Sequence, residues 1–273
     1  MFTRLQDWAH GCPVPVRIAI VALTILLAVG WTLSAVGAIP QPEAYHRYAD
    51  QRSCFGIPNF GNVASNLAFV VAGLHGLWLI GDREAVFATP QERSGSRVLS
   101  YGAIATGLGS IIYHVAPTNE TLAIDRAGMI LVLMPLLAIV LMERVDVRFG
   151  HRLLWPLVAL GLASVAWWIG SEWRGRGDLR PYVLAQFLSI LVVVLLHVFP
   201  SRYRGPPAIL IALALYVVAK LFEKMDFETF VASEAIVSGH TMKHLVAAGA
   251  VWCLVYRLRL RALRQRMAGV QST

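Results

Sequence analysis

The sequence predicts an all-α, multi-pass membrane protein, and three observations carry that prediction. The chain is 57% hydrophobic and only 15% charged, with a mean hydropathy of +0.60, too apolar and too poor in charge for an ordinary soluble domain. Eight separate apolar runs are each about long enough to span the roughly 30 Å hydrocarbon core of a bilayer. Arginines also collect on one side of the implied helices, as membrane topology requires.

In chain order, the runs cover 17–38, 60–81, 98–117, 121–142, 152–170, 181–199, 207–224 and 235–256. The first has a basic start, an apolar stretch and small residues from Ala35 to Ala38, features shared with signal peptides, but its length favours an uncleaved anchor. The final stretch, 257–273, is basic and is expected to lie on the membrane surface or to be disordered. There is no internal repeat or low-complexity block. No linker is long enough to divide the helices, and the basic tail runs over 257–273. Cys12, Cys54 and Cys253 are far apart and lack CxxC spacing, so neither a disulfide framework nor a cysteine metal site is indicated. A net charge of +8 would suit nucleic acid. Here the positive residues are dispersed over short loops and the C-terminus, which suits a membrane surface better.

With the N-terminus inside, the cytoplasmic side holds Arg4, Arg17, Arg83, Arg93, Arg97, Arg144, Arg148, Arg152, Arg202 and Arg204 and the arginines of the tail. The other side holds Arg47, Arg52, Arg174, Arg176, Arg180 and Lys224, and the Arg-rich loop around Trp173 runs against the trend locally. Both termini are placed inside and 39–59 outside, with Trp167, Trp168 and Trp173 forming an interfacial belt. Of the 24 basic residues, 21 are Arg, as in GC-rich bacterial genomes, so a bacterial inner membrane is the expected location.

His240 and His244 stand four apart at the start of the last run, so on a helix both imidazoles leave one face about one turn, roughly 5.4 Å, apart. That is metal-ligand spacing, although two histidines make only half a site. The predicted topology brings His114, at the outer end of the third helix, and Asp125, about one turn into the fourth, to the same membrane level. Ser110 lies one turn below His114, and His244 one turn below His240. Three imidazoles with an open fourth position are a common arrangement for catalytic zinc, which acidifies its bound water. Asp125 would take that water's proton, and Ser110 would hydrogen-bond the substrate carbonyl or the oxyanion formed from it. The competing readings are structural histidines, an Asp125 that pairs with Arg126 or caps its helix, and a Ser110 bonded back to its own helix. Asn62, Ser65 and Asn66 are read as interhelical ties with at most indirect support of the site. Lys220 and Glu223 are read as an i,i+3 pair, and Lys243 as pointing elsewhere and snorkelling.

Gly107-Leu108-Gly109-Ser110 with Tyr113-His114, then Asp125-Arg126, then His240-Thr241-Met242-Lys243-His244, together with the run from Ile57 to Leu67 (Ile-Pro-Asn-Phe-Gly-Asn-Val-Ala-Ser-Asn-Leu), resemble the alkaline ceramidase family. That family belongs to a wider superfamily of membrane hydrolases which includes adiponectin- and progestin-receptor-like proteins. The resemblance covers roughly 44–256. It implies a seven-helix transmembrane bundle, here preceded by one extra N-terminal helix. It also implies zinc held by His114, His240 and His244, with Ser110 and Asp125 assisting cleavage of the ceramide amide to sphingoid base and fatty acid. Eukaryotic members carry an acidic calcium-binding segment before the first of the seven helices, whereas this sequence offers Glu43, Asp50 and the neutral Asn59. Calcium takes about six or more oxygens, so that site is not expected in the same form. Asp50 with Asn59 would make a weakened Ca2+ site, and the competing reading is a polar loop packed on the bundle.

The function expected is therefore a zinc-dependent amidohydrolase acting on ceramide or another N-acyl lipid within the bilayer, with its site near the periplasmic side. A receptor-like protein that keeps the zinc site with little turnover is the alternative that the superfamily permits. A proton-coupled carrier using Asp125 and Glu223 would need charges spread across membrane depth, whereas these gather near one surface.

Overall fold

The computed structural model describes residues 8, 9, 11–82, 85 and 87–270, with side chains described as far as 261. Arg4 and Arg83, used to orient the chain, lie outside the described residues, as do the side chains of Arg264 and Arg266. The fold is all-helical: α1 (Val14–Ala35), a 3-10 turn (Glu43–His46), α2 (Phe60–Ser65), α3 (Leu67–Gly81), α4 (Pro90–Val115), α5 (Asn119–Arg144), α6 (Val147–Glu172), α7 (Arg180–Leu196), α8 (Ala208–Lys224), α9 (Asp226–Ala232) and α10 (Gly239–Val270). No strand occurs among the described residues, and a lone bridge joins Cys54 to Ile57.

Each predicted apolar run falls on an observed helix. Five stretches are long and apolar enough to cross a membrane: α1, α2 with α3, α4, α5 and α6. These five make the chain a multi-pass membrane protein in its build. α7 and α8 are shorter, at 17 residues each. α10 continues through the basic stretch to Val270, so the tail is helical over 257–270 and not disordered; residues 271–273 lie outside the described residues.

The helix ends follow local chemistry. Pro occupies the first turn of α1 and of α7, where its missing N–H costs no hydrogen bond. Asp146 caps α6 by accepting the Phe149 amide at 2.9 Å. α1 and α5 are similarly apolar, yet α1 is mostly exposed and α5 mostly buried.

The described chain forms two compact units. One comprises 1–40, 87–96 and 133–204, and the other 41–86, 97–132 and 205–273. In the first, α7 packs against α1 and α6. The Leu179 amide donates to the Ile39 carbonyl at 2.8 Å and Arg180 to the Val36 carbonyl at 2.8 Å. Trp168 belongs to this unit's core, fully buried with its indole N–H on Glu172 at 2.9 Å. It is therefore not part of an interfacial belt, whereas Trp167 and Trp173 are exposed.

In the second unit, α10 packs on α8, α3 and α2, and α4 crosses α5 at backbone contact. A Cβ at Gly109 would lie 2.9 Å from the Ile124 carbonyl oxygen, and one at Gly128 only 2.5 Å from the Thr106 Cα. Small residues let membrane helices approach this closely. The crossing sets Ser110 beside Asp125, and the start of α10 completes the site.

Candidate metal centre

α10 begins in a tightly fixed position. Ser238 caps it by accepting the Thr241 amide at 3.1 Å, and Asp226 accepts the His240 amide at 2.7 Å. A Cβ at Gly239 would lie 2.3 Å from the Phe222 carbonyl oxygen, so only glycine lets the helix start against the end of α8. His240 and His244 therefore occupy the first two turns of an anchored helix. The next-to-last residue of α4 is His114, whose carbonyl accepts from the Asn59 side-chain amide at 2.9 Å. That bond satisfies one of the carbonyls a helix C-terminus leaves open.

The three imidazoles meet. Their ring centroids are 4.9 Å apart for His114 and His240, 4.8 Å for His114 and His244, and 4.9 Å for His240 and His244. All three residues are buried, and one ligating atom from each lies within 4.8 Å of the others. They are the only such group of His, Cys, Asp and Glu among the described residues. His114 Nε2 and His244 Nε2 are 3.2 Å apart. Tetrahedral zinc with bonds of about 2.0–2.1 Å separates its ligand nitrogens by roughly 3.3–3.4 Å, so this pair already has ligand spacing. An all-nitrogen set of three buried imidazoles fits a borderline metal ion such as zinc.

The surroundings hold the rings in place. His244 Nδ1 lies 2.9 Å from Ser65 Oγ and 3.2 Å from Asn66 Nδ2. This leaves His244 Nε2 to face the cluster, the outer-shell arrangement usual for metal-binding histidines. Asn62 ties α2 to α10 by accepting from Thr241 Oγ1 at 2.9 Å. These three residues therefore tie helices as expected, and Ser65 and Asn66 also touch a candidate ligand.

Asp125 and Ser110 lie together, with the Ser110 side chain hydrogen-bonded to the Asp125 carboxylate. Asp125 belongs to none of the four ion pairs of the described residues. It sits on the seventh residue of α5, too deep to cap that helix. Arg126 points elsewhere, donating to Gln41 Oε1 at 2.6 Å and lying over the Tyr45 ring.

Lys243 departs from its expectation. Its Nζ is 3.0 Å from His240 Nε2 and 3.2 Å from Glu223 Oε1, with a side chain 17% exposed, so it turns inward and does not snorkel. The reason is local: Lys243 stands three residues after His240 and so shares its face, and Glu223 supplies the counter-charge. Glu223 also pairs with Lys220, as expected, and accepts from the Tyr45 hydroxyl at 3.1 Å.

The 41–59 segment contributes residues that sequence reasoning missed. Tyr48 is buried, with its ring 4.8 Å from that of His114 and 4.7 Å from that of His240. His46 bridges the Tyr113 hydroxyl at 2.9 Å and Asn119 Oδ1 at 3.1 Å. Asp226 ties the segment down by accepting the Ala49 amide at 2.8 Å. Burial holds the Tyr45 and Tyr48 hydroxyls well above their usual pKa, so both remain protonated.

Asp50 is engaged by Arg52, which donates to Oδ1 at 2.8 Å and to Oδ2 at 2.7 Å. The hydrogen bonds from Arg52 hold the Asp50 carboxyl below its usual value. With both Asp50 oxygens on Arg52, the Asn59 amide on His114 and Glu43 exposed, these residues are arranged as a polar loop and not as an oxygen cage for Ca2+. Asp50, Arg52 and Thr241 line an open cleft of about 340 Å³.

No protein-family model matches this chain, and no curated protein matches it. The geometry of the site and the motif resemblance are what support a function.

Proposed function

We propose that the protein is a multi-pass membrane amidohydrolase that uses zinc held by His114, His240 and His244 to cleave the N-acyl amide of a membrane lipid. The observation that carries this reading is the set of three buried imidazoles, two of them with Nε2 atoms 3.2 Å apart, in the same compact unit as the Ser110–Asp125 pair. The motif resemblance supports ceramide as the lipid, with sphingoid base and fatty acid as products.

Bound zinc supplies Lewis acidity and lowers the pKa of a coordinated water. Asp125 accepts the proton of the attacking water as the new C–O bond forms and returns it to the nitrogen as the C–N bond breaks. Ser110 holds the Asp125 carboxylate in one orientation through its hydrogen bond. Tyr48, packed over His114 and His240, limits access of bulk water.

α1 precedes seven further helical passes between 44 and 256. For α7 and α8, 17 residues rise about 25 Å, and the flanking turns bring each near the roughly 30 Å of hydrocarbon. The arginine distribution supports cytoplasmic termini, a bacterial inner membrane and a site near its outer face.

The test is metal content of the purified full chain and of His114→Ala, alongside fatty-acid release from a panel of N-acyl lipids. One zinc per chain, lost in the variant, together with hydrolysis is the expected result. Zinc without hydrolysis of any amide would move weight to a receptor-like protein. Protein carefully prepared yet free of metal would return the histidines to a packing role.

A further inference from the structure

Lys243 is a charged side chain that the chemistry above leaves without a role. Its Nζ lies 3.0 Å from His240 Nε2 and 3.2 Å from Glu223 Oε1. Glu223 is itself fixed from two more directions, by the Tyr45 hydroxyl at 3.1 Å and by Lys220. The Lys243 and Glu223 side chains are 17% and 16% exposed, against 40% for Lys220. Lys243 is thus the inner member of a row centred on one carboxylate. Two lysines to one glutamate leave the row one positive charge in excess.

An ammonium has three donors and no acceptor. Here one donor reaches Glu223 and another faces the ring nitrogen of a candidate ligand; a metal on that nitrogen would take its one lone pair and leave this N–H free beside the site. A partly buried ammonium is costly unless paired, and Glu223 and Tyr45 hold this one in place.

We propose that Lys243 is a further catalytic residue whose ammonium donates to the substrate's amide carbonyl oxygen and stabilises the negative charge that develops there. Glu223, Tyr45 and Lys220 are its positioning residues. The inference rests on the hydrolase reading above. The bonds made and broken are those already described. The same contact recognises a fatty-acid carboxylate, which places full negative charge where the reacting carbonyl develops it. That product therefore probes Lys243 without turnover.

The experiment compares the wild-type chain with Lys243→Met, and with Lys243→Met combined with Glu223→Gln, which removes the carboxylate the first change leaves unpaired. Zinc content, kcat and KM for an N-acyl lipid, and the affinity for hexadecanoate are measured for each. The expected result is full zinc, kcat lower by a factor on the order of 100 or more, KM little changed and hexadecanoate bound at least about tenfold more weakly. Zinc-loaded variants with wild-type kcat and undiminished hexadecanoate binding would overturn the proposal. Loss of zinc from both variants would overturn it as well, by assigning Lys243 to the architecture of the metal site. Absence of amide hydrolysis by the wild-type protein overturns the hydrolase reading and with it the catalytic role. Hexadecanoate binding decides the oxygen contact independently.

Discussion

α10 touches histidine at two levels, and the two are built differently. At its start His240 and His244 meet His114, and polar neighbours hold two backbone groups and one ring: Asp226 on the His240 amide, Asn59 on the His114 carbonyl, Ser65 and Asn66 at His244 Nδ1. Two to three turns later Trp252 and Tyr256 stack on His75 at 4.5 and 6.3 Å, with Trp78 on the same ring at 5.7 Å. There the Nδ1 atom is buried without a partner, and His75 belongs to no group of three or more ligating residues among the described residues. A lone imidazole among aromatics is packing material. What separates the two levels is the convergence of three rings at the first, since His114 Nδ1 is as unpartnered as that of His75.

The sharpest way to break this contrast is at the metal. His240→Ala or His244→Ala should abolish stoichiometric zinc, measured by elemental analysis of purified protein, while His75→Ala should leave zinc unchanged. Zinc lost equally from all three would erase the distinction between the levels. Next in size, Asp125→Asn should keep the metal and slow hydrolysis by a factor on the order of 100 or more; full activity in that variant would remove Asp125 from the chemistry. Gly239→Ala tests how firmly the first level is anchored. A methyl 2.3 Å from a backbone oxygen must displace the start of α10, costing about 1–3 kcal/mol and lowering both Tm and zinc occupancy. At the second level His75→Ala should cost about 1 kcal/mol of stacking, seen in Tm alone.

The smallest effect belongs to Asp50→Asn. Arg52 depresses the Asp50 pKa in the folded protein, so the carboxylate contributes stability above the ordinary value of about 3.9 and loses it as pH falls through the lower folded value. The Arg52 side chain is 57% exposed, so solvent screening keeps the contribution small. Wild type and variant should therefore differ slightly in Tm at pH 7 and coincide once the pH is below the folded pKa of Asp50.

The helices were legible in the sequence because each apolar run had to be long enough for a bilayer. The histidine convergence was legible because i,i+4 spacing and the topology brought His114, His240 and His244 to one depth. The inward turn of Lys243 carried a signal too, its i,i+3 relation to His240, which needed Glu223 from a different helix to decide it. Tyr48 carried none, and Asn59 was read as a candidate Ca2+ oxygen where its amide holds the end of α4. The 41–59 segment has no hydrophobic period, and its course follows from distant partners such as Glu223, Asn119 and Asp226.

The crossing of α4 over α5 has a consequence for how this protein can vary. Ser110 and Asp125 are neighbours because main chain meets main chain at Gly109 and Gly128, not because particular side chains wedge the helices into place. Exposed positions such as Leu108 and Ile124 are therefore free to drift among apolar residues without disturbing the pair. Variation has its room on those outer faces, while the two glycines stay fixed.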